Sequence, residues 1–353
     1  MSGAAASTTG GTRGITSRLS PTGIAPVLQV HPSRRCNLAC AHCYSSSGPN
    51  VREELDAGLL ADCLRDAADL GYRQLAVSGG EPLLYGSLGW ILVRARALGM
   101  LTSITTNGML ITRANWTALA PLLDVVAISI DGVPAEHDRM RGRAGACART
   151  LANLEIVRAS GVPFGVIFTL TQHNVDSLDP VVRMAAAHGA RSIQVHPLTM
   201  HGRAATALPD ARPDGMELSA ALCEAVRLGD ELDVVVHVDA VTVAQLVEYP
   251  GHFVPRRPVQ RLVDVAPVLV VEADGSVMPL THEVSRALRL GSLFGERLSS
   301  LARDWLAAGT ADLLADACER TWAELTMAGC GPAAYWYDEV AARTGDHRPT
   351  PHG

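Results

Sequence analysis

Three cysteines, Cys36, Cys40 and Cys43, fall within eight positions in a C-x3-C-x2-C spacing. One compact loop therefore carries three soft thiolates. Iron–sulfur clusters are commonly held by four cysteines, so a set of three leaves one iron open to a substrate. The competing reading is structural zinc, which usually takes four ligands from two knuckles. His42 would have to complete that set, and it is wedged between two of the cysteines. The spacing favours a cluster. A second polar segment, Ser78-Gly79-Gly80-Glu81-Pro82, combines a glycine pair that lets backbone approach a ligand closely with a carboxylate that can accept hydrogen bonds from an ammonium. Taken alone, it is equally an ordinary turn.

These residues need elements that hold them at one rim. From Pro26 to about Pro197, β-branched or apolar runs alternate with longer amphipathic runs rich in Ala and Leu. That is the pattern of βα units around a parallel sheet. Strands are expected at Val27–His31, Gln74–Val77, Leu101–Thr105, Val125–Ile130, Phe164–Leu170 and Ser192–His196. Helices are expected at Leu55–Leu70, Leu88–Leu98, Arg113–Leu122, Ala148–Ala159, Ser177–Ala187 and Pro213–Leu228. Six repeats are fewer than the eight of a closed barrel, so the expected fold is α/β, a partial (β/α)6 barrel working at the C-terminal ends of its strands. The cysteine loop follows the first strand and the Gly-Gly-Glu-Pro segment the second. Thr105-Thr106-Asn107-Gly108 ends the third and Ser129-Ile130-Asp131-Gly132 the fourth, although Asn-Gly and Asp-Gly are also common turn formers.

The expected organisation is a disordered leader over 1–25, the partial barrel over 26–240, a small accessory region over 256–341 and a disordered tail over 342–353. Pro250–Pro258 reads as a linker, Val268–Met278 as a β-hairpin turning at Asp274-Gly275, and helices follow from Leu298. Composition limits the rest. Hydrophobic content of 48% with 19% charged residues describes a chain that folds rather than a disordered one. The net charge of −6 is spread without a basic block, which argues against a nucleic-acid partner. No apolar run approaches the roughly 18 to 20 residues that span a bilayer, and the first 25 residues lack a secretory apolar core, so no membrane association is expected. Eight cysteines, sparse apart from the triplet, suit metal binding in a reducing cytoplasm.

Cys36-Asn37-Leu38-Ala39-Cys40-Ala41-His42-Cys43-Tyr44 resembles the cluster motif of the radical S-adenosylmethionine superfamily, with His42 in the place of the aromatic-type residue before the last cysteine. The resemblance implies a partial barrel, one 4Fe-4S cluster on the three cysteines and S-adenosyl-L-methionine as cofactor. It also implies an external electron donor such as flavodoxin or ferredoxin, and a 5′-deoxyadenosyl radical that removes a substrate hydrogen. In the family, Gly-Gly-Glu-Pro holds the methionyl amine, which gives that role to Gly79, Gly80 and Glu81. Asn107 and Ser129 take contacts to the methionyl or ribose groups, with Asp131 a weaker case. His137-Asp138-Arg139-Met140-Arg141-Gly142 resembles a segment of members with a C-terminal extension called SPASM, many of which modify peptides. There Arg141 could pair with the cofactor carboxylate, or the segment could be a solvated basic loop.

Asp274-Gly275-Ser276-Val277-Met278-Pro279-Leu280 resembles the start of SPASM, but Leu280 stands where a cluster-ligating cysteine is normal. Only Cys318 and Cys330 remain downstream, so the accessory region is expected to be a degenerate one without a second cluster. The expected function is hydrogen abstraction that tailors a peptide natural product. Modification of a nucleoside, aminosugar or other small metabolite is the alternative enzyme, and an iron–sulfur electron carrier or sensor the alternative outside catalysis.

Overall fold

The computed structural model describes residues 25–327 and 333–345. Most of the expected leader, the end of the expected tail and Cys330 lie outside these residues. In chain order the first half runs β1 (Val27–Val30), α1 (Ala57–Leu70), β2 (Gln74–Val77), α2 (Leu88–Ala97), β3 (Leu101–Thr106), α3 (Arg113–Leu119), β4 (Val125–Ser129), α4 (Pro134–Arg141), α5 (Ala146–Ser160), β5 (Phe164–Leu170), α6 (Leu178–Ala187) and β6 (Ser192–Pro197). It continues through α7 (Ala204–Ala207), α8 (Gly215–Leu232), β7 (Val235–Val238), β8 (Val241–Thr242), α9 (Val243–Glu248) and α10 (Leu262–Val265). The remainder is β9 (Val268–Val271), β10 (Ser276–Pro279), β11 (Gly291–Ser292), α11 (Leu298–Ala307), α12 (Thr310–Thr326), β12 (Ala333–Ala334) and α13 (Trp336–Ala342).

The six expected βα units are present, and β1 to β6 pair in parallel in sequence order. Their connections show why. In α1, Asp56 caps the N-terminus by accepting from the Gly58 and Leu59 amides, and Leu60, Cys63, Leu64 and Ala67 share one buried face. Along the strands the pleat separates two environments. Leu28, Val30, Leu75, Val77, Ile104, Val126, Ile128, Ile193 and Val195 are fully buried in the core shared with the helices. The alternate residues Gln29, Gln74, Ser103, Thr105 and His196 are polar and only half-buried. The second face of the sheet thus mixes these polar side chains with the partly buried Val27, Ala76, Ala127 and Ile167.

Several elements were not expected from sequence, and two of them change the reading. β7 extends the parallel series beyond β6, and α4 converts the supposed basic loop into a helix with Pro134 in its first turn and left-handed Gly142 at its end. The Val268–Met278 hairpin forms as β9 and β10, yet it does not stand apart. β9 pairs in parallel with β1, Val27 opposite Val268 and Val30 opposite Val271, giving one open 10-stranded sheet in the order β11-β10-β9-β1-β2-β3-β4-β5-β6-β7. No helix among the described residues is long and apolar enough to cross a membrane.

Candidate functional site

The cysteine loop leaves the end of β1 and is tied down from several directions. Cys36 N donates to Gly48 O at 3.1 Å and Gly48 N to Arg34 O at 3.2 Å, closing the loop at its base. Ala41 N donates to Met140 O at 2.8 Å, which fixes the middle of the loop to the end of α4. Arg203 is the third anchor: its amide donates to Cys43 O at 2.9 Å, and its guanidinium donates to Cys40 O at 2.7 Å and Ser47 O at 2.8 Å. Cys36 and Cys40 are buried together with Leu38, and Cys43 and Met109 pack against them. Burial pushes the Cys36 thiol up to about 12, and the neighbouring Glu81, Cys40 and Cys43 push in the same direction. Burial also raises the Cys40 thiol, against the opposing pull of Arg141. Thiols that resist ionisation in this way are stable together as thiolates only when a cation offsets their charge, as a metal centre does.

Gly79 and Gly80 do bring backbone close, but what approaches is the base of the cysteine loop. A Cβ on Gly80 would stand 2.2 Å from Arg35 O, and Gly80 N and Glu81 N donate to Ser33 O and Arg35 O at 2.8 and 2.9 Å. Glu81 is buried and its carboxylate already receives three donors: Leu83 N at 3.1 Å and Thr106 Oγ1 at 2.7 Å on one oxygen, Asn107 N at 3.0 Å on the other. Burial raises its pKa, and those three donors work against the rise. A carboxylate accepts at about four positions, so roughly one, on the second oxygen, is left for a ligand. Asn107 reaches into the loop, donating from Nδ2 to Asn37 Oδ1 at 2.9 Å. Ser129 ends β4 immediately after Ile128, which is in register with Thr106, so Asn107 and Ser129 sit side by side at the strand ends.

Arg141, on the last turn of α4, is buried, with Nη1 3.8 Å from Cys40 Sγ and Nη2 2.7 Å from Asp131 Oδ2. Burial would raise the Asp131 pKa, but Arg141 holds it below the usual carboxylate range. His42 Nε2 stands 3.7 Å from the same oxygen, and burial depresses that imidazole to about 4, so it is neutral. His137 Nδ1 accepts from Asp131 N at 3.2 Å, and burial together with Arg141 lowers it too, to about 4. Two polar atoms at this spot, His42 Nδ1 and Arg141 Nε, have no hydrogen-bond partner among the described residues, and Asp131 Oδ2 has only its ionic contacts with Arg141 and His42. A pocket beside three thiols that keeps unpaired donors and acceptors fits a zwitterionic group lying next to a metal centre.

Cys36, Cys40 and Cys43 pack together, His42 and Arg141 meet at Asp131 beside them, Glu81 and Asn107 join at the neighbouring strand ends with Ser129 at the end of β4, and Gly79 and Gly80 support the loop from below. Arg141 is neither solvated nor in a loop. The sequence reading gave Thr106, Asn37 and Arg203 no part in the site; Gly202-Arg203-Ala204, after the sixth strand, resembles a segment of SPASM-type members but is weakly diagnostic.

Residues 30–185 match the model of the Radical SAM superfamily. Over 180 residues the chain is 34% identical to a pre-heme d1 synthase of Dinoroseobacter shibae, covering 50% of this chain and 45% of that one. It is 33% identical over 173 residues to a PqqA peptide cyclase of Ruegeria pomeroyi, covering 48% and 46%. The chain thus spans about half the length of the curated relatives it matches. Among solved structures, SuiB of Streptococcus suis bound to its precursor peptide SuiA aligns with a TM-score of 0.61 at 16% identity over 82% of this chain and 67% of that one. Native anSMEcpe with bound AdoMet aligns at 0.59 and 18% identity over 78% and 79%. At such identities these two likenesses concern the fold.

Proposed function

We propose, from the premise that residues 30–185 are a radical SAM domain, that the chain is an enzyme that abstracts a hydrogen atom from a peptide and thereby tailors it. The observation that carries the reading is the packing of Cys36, Cys40 and Cys43 on one loop beside the unpaired atoms of His42 and Arg141. The family uses a 4Fe-4S cluster and S-adenosyl-L-methionine. When bound on three thiolates, the cluster supplies the electron that splits S-adenosylmethionine into methionine and a 5′-deoxyadenosyl radical.

In this reading Cys36, Cys40 and Cys43 hold the cluster. Arg141, kept cationic by Asp131 and Cys40 against its burial, offers Nε toward the cofactor carboxylate. Glu81 acts mainly as a brace that joins the second and third strand ends, and its remaining acceptor position takes the methionyl ammonium. Neutral His42 presents its ring without adding charge to a site that already holds a guanidinium. Asn107 and Ser129 line the adjoining strand ends, where they meet the methionyl or ribose groups. The reducing electron comes from a small carrier such as flavodoxin or ferredoxin.

A peptide substrate is favoured by the PqqA peptide cyclases among the relatives, and a tetrapyrrole or other small metabolite by the pre-heme d1 synthase. The deciding experiment is anaerobic: reduced, reconstituted protein is given S-adenosylmethionine, and 5′-deoxyadenosine is measured with and without a candidate peptide. Deuterium transfer from the labelled peptide into 5′-deoxyadenosine is the expected result. No 5′-deoxyadenosine under any condition would return the chain to the electron-carrier reading.

A further inference from the structure

A second group of polar side chains lies where the chain comes back after β10. Leu280, at φ 63, turns the backbone, with Thr281 N donating to Pro279 O at 2.8 Å. This directs His282 onto Tyr44, the neighbour of Cys43, with ring centroids 4.4 Å apart. Glu283 follows with its side chain 3% exposed. The Glu283 carboxyl is engaged by Asp338 and Thr199, but Oε1 has no hydrogen-bond partner among the described residues, and neither has His282 Nε2. Glu283 Oε1 lies 3.7 Å from His282 Nε2 and 3.8 Å from His201 Nε2. These separations are too long for hydrogen bonds between the groups, so both ring nitrogens stand around Glu283 Oε1 across one small space without pairing with it. His201, half exposed, opens that space to solvent, and Gly202 beside it abuts the Tyr44 carbonyl.

The groups around this space select the ligand. Glu283 has a second carboxylate, Asp338, beside it, and the balancing Arg212 sits on Asp338 at a half-exposed position. An anion would meet two carboxyls. The imidazoles are uncharged, because burial depresses His282 to about 3 and lowers His201. Neutral imidazole nitrogens accept hydrogen bonds, so the space can offer three acceptors: one carboxyl oxygen and two ring nitrogens. A primary ammonium carries three N–H donors and a positive charge.

We propose that Glu283, His282 and His201 form a substrate subsite for a primary ammonium, either a lysine side chain or a peptide N-terminus. The inference rests on the reading of the chain as a radical enzyme acting on a peptide, and places the bound amine next to the cysteine loop. A proton linkage follows. Burial and Asp338 push the Glu283 carboxyl up to about 8, so it is mostly protonated at pH 7. The other titratable groups facing this pocket are Tyr44, Tyr335, His196, Glu272 and His31, with His31 and Glu272 hydrogen-bonded to each other at 3.0 Å. Ammonium binding ionises Glu283 and releases close to one proton at neutral pH; affinity for a lysine ammonium rises as pH goes from 7 to 9, whereas affinity for a peptide N-terminus, whose own amine loses its proton near pH 8, peaks near pH 8.

The test is titration calorimetry on full-length reconstituted protein with S-adenosylmethionine and no reductant, at pH 7, in phosphate and in Tris. The probes are acetyl-Gly-Lys-Gly-amide, Gly-Leu-Gly-amide and acetyl-Gly-Leu-Gly-amide, which carry a side-chain ammonium, an N-terminal ammonium and none. One or both ammonium peptides should bind with proton release, and which one binds identifies the source. Glu283→Gln should weaken that binding about 10-fold to 100-fold and remove the proton release. Asp338→Asn serves as a second variant, since it lowers the Glu283 pKa: it should keep binding but release fewer protons. The subsite is overturned if the ammonium-free peptide binds as well as the others, if none binds, or if Glu283→Gln matches the wild type. Failure of wild-type 5′-deoxyadenosine formation, measured separately, would instead strike the enzymatic reading.

Discussion

Glu81 shows how a residue of the expected type in the expected place can serve a different end. Its carboxylate satisfies the amides of Leu83 and Asn107 and the Thr106 hydroxyl. Glu81→Ala would strand these buried donors, so unfolding in urea should show a loss of at least about 2 kcal/mol before any cofactor is added. An unchanged unfolding midpoint would mean that the brace carries no stability. The cysteines behave differently, because their sulfurs make only long contacts within the chain, Cys40 Sγ to Arg141 Nη1 at 3.8 Å and Cys43 Sγ to Ser45 Oγ at 3.5 Å. Cys36→Ala, Cys40→Ala and Cys43→Ala should each abolish cluster assembly, read as loss of iron and sulfide after anaerobic reconstitution, with stoichiometric zinc as the contrary result. Histidine burial sets an acid limit. His137 and His282 are depressed to about 4 and about 3 in the folded chain, so the unfolded chain takes up protons below about pH 6.5 that the folded one refuses. Stability is therefore full above that pH and falls toward pH 4, by about 1.4 kcal/mol per pH unit for each histidine. A urea midpoint that stays flat between pH 7 and 4.5 would contradict this. Residue types and spacing made the thiolates legible, whereas Thr106, an internal partner of Glu81, lies 25 residues away, and their meeting depends on β2 and β3 being neighbours.

At the scale of elements, the loop that carries the thiols is shaped by its neighbours more than by its own sequence. Gly80 admits the Arg35 carbonyl, and Gly202, at φ 58, admits that of Tyr44, where a Cβ would stand 2.0 Å from the oxygen. Gly80→Ala and Gly202→Ala should each displace the loop, costing about 1 to 3 kcal/mol and lowering the iron bound per chain. Normal iron content in both variants would show the loop to be self-supporting. The strands up to β6 could be read from their apolar alternation because each buries one face on helices. β7 was hidden: Val235 and His237 are exposed and only Val238 is buried, so a four-residue run carries little pattern. α4 was hidden for another reason. Its residues are almost wholly polar, and the burial of His137 and Arg141 comes from Asp131 and the thiols rather than from an apolar stripe. Its Pro134 and Gly142 were usable signals for a start and a stop.

For the whole molecule, the decisive feature is the parallel pairing of β9 with β1. A chain cut before residue 256 would lose β9, leaving β1 as an edge paired only with β2, its β9-facing amides and carbonyls bare, and would also lose Glu272 from His31. Such a fragment should aggregate or fail to assemble a cluster, as size-exclusion chromatography and iron analysis would report; a monodisperse, cluster-loaded fragment would show that the 26–240 unit is complete in itself. Local pattern carries no sign of this pairing, since the hairpin can be recognised from its own residues but its partner cannot. The same pairing also bears on how the protein comes off the ribosome. His31 and Glu272 are 241 residues apart, and at about 5 to 20 residues per second the strand that launches the cysteine loop waits roughly 12 to 50 seconds for its neighbour to be synthesised. Over that interval the nascent chain has most of its sheet but an unfinished border beside its thiols. A cluster site that needs this border is therefore complete only once β9 has been made, late in the chain, and such non-local pairings are slow to form.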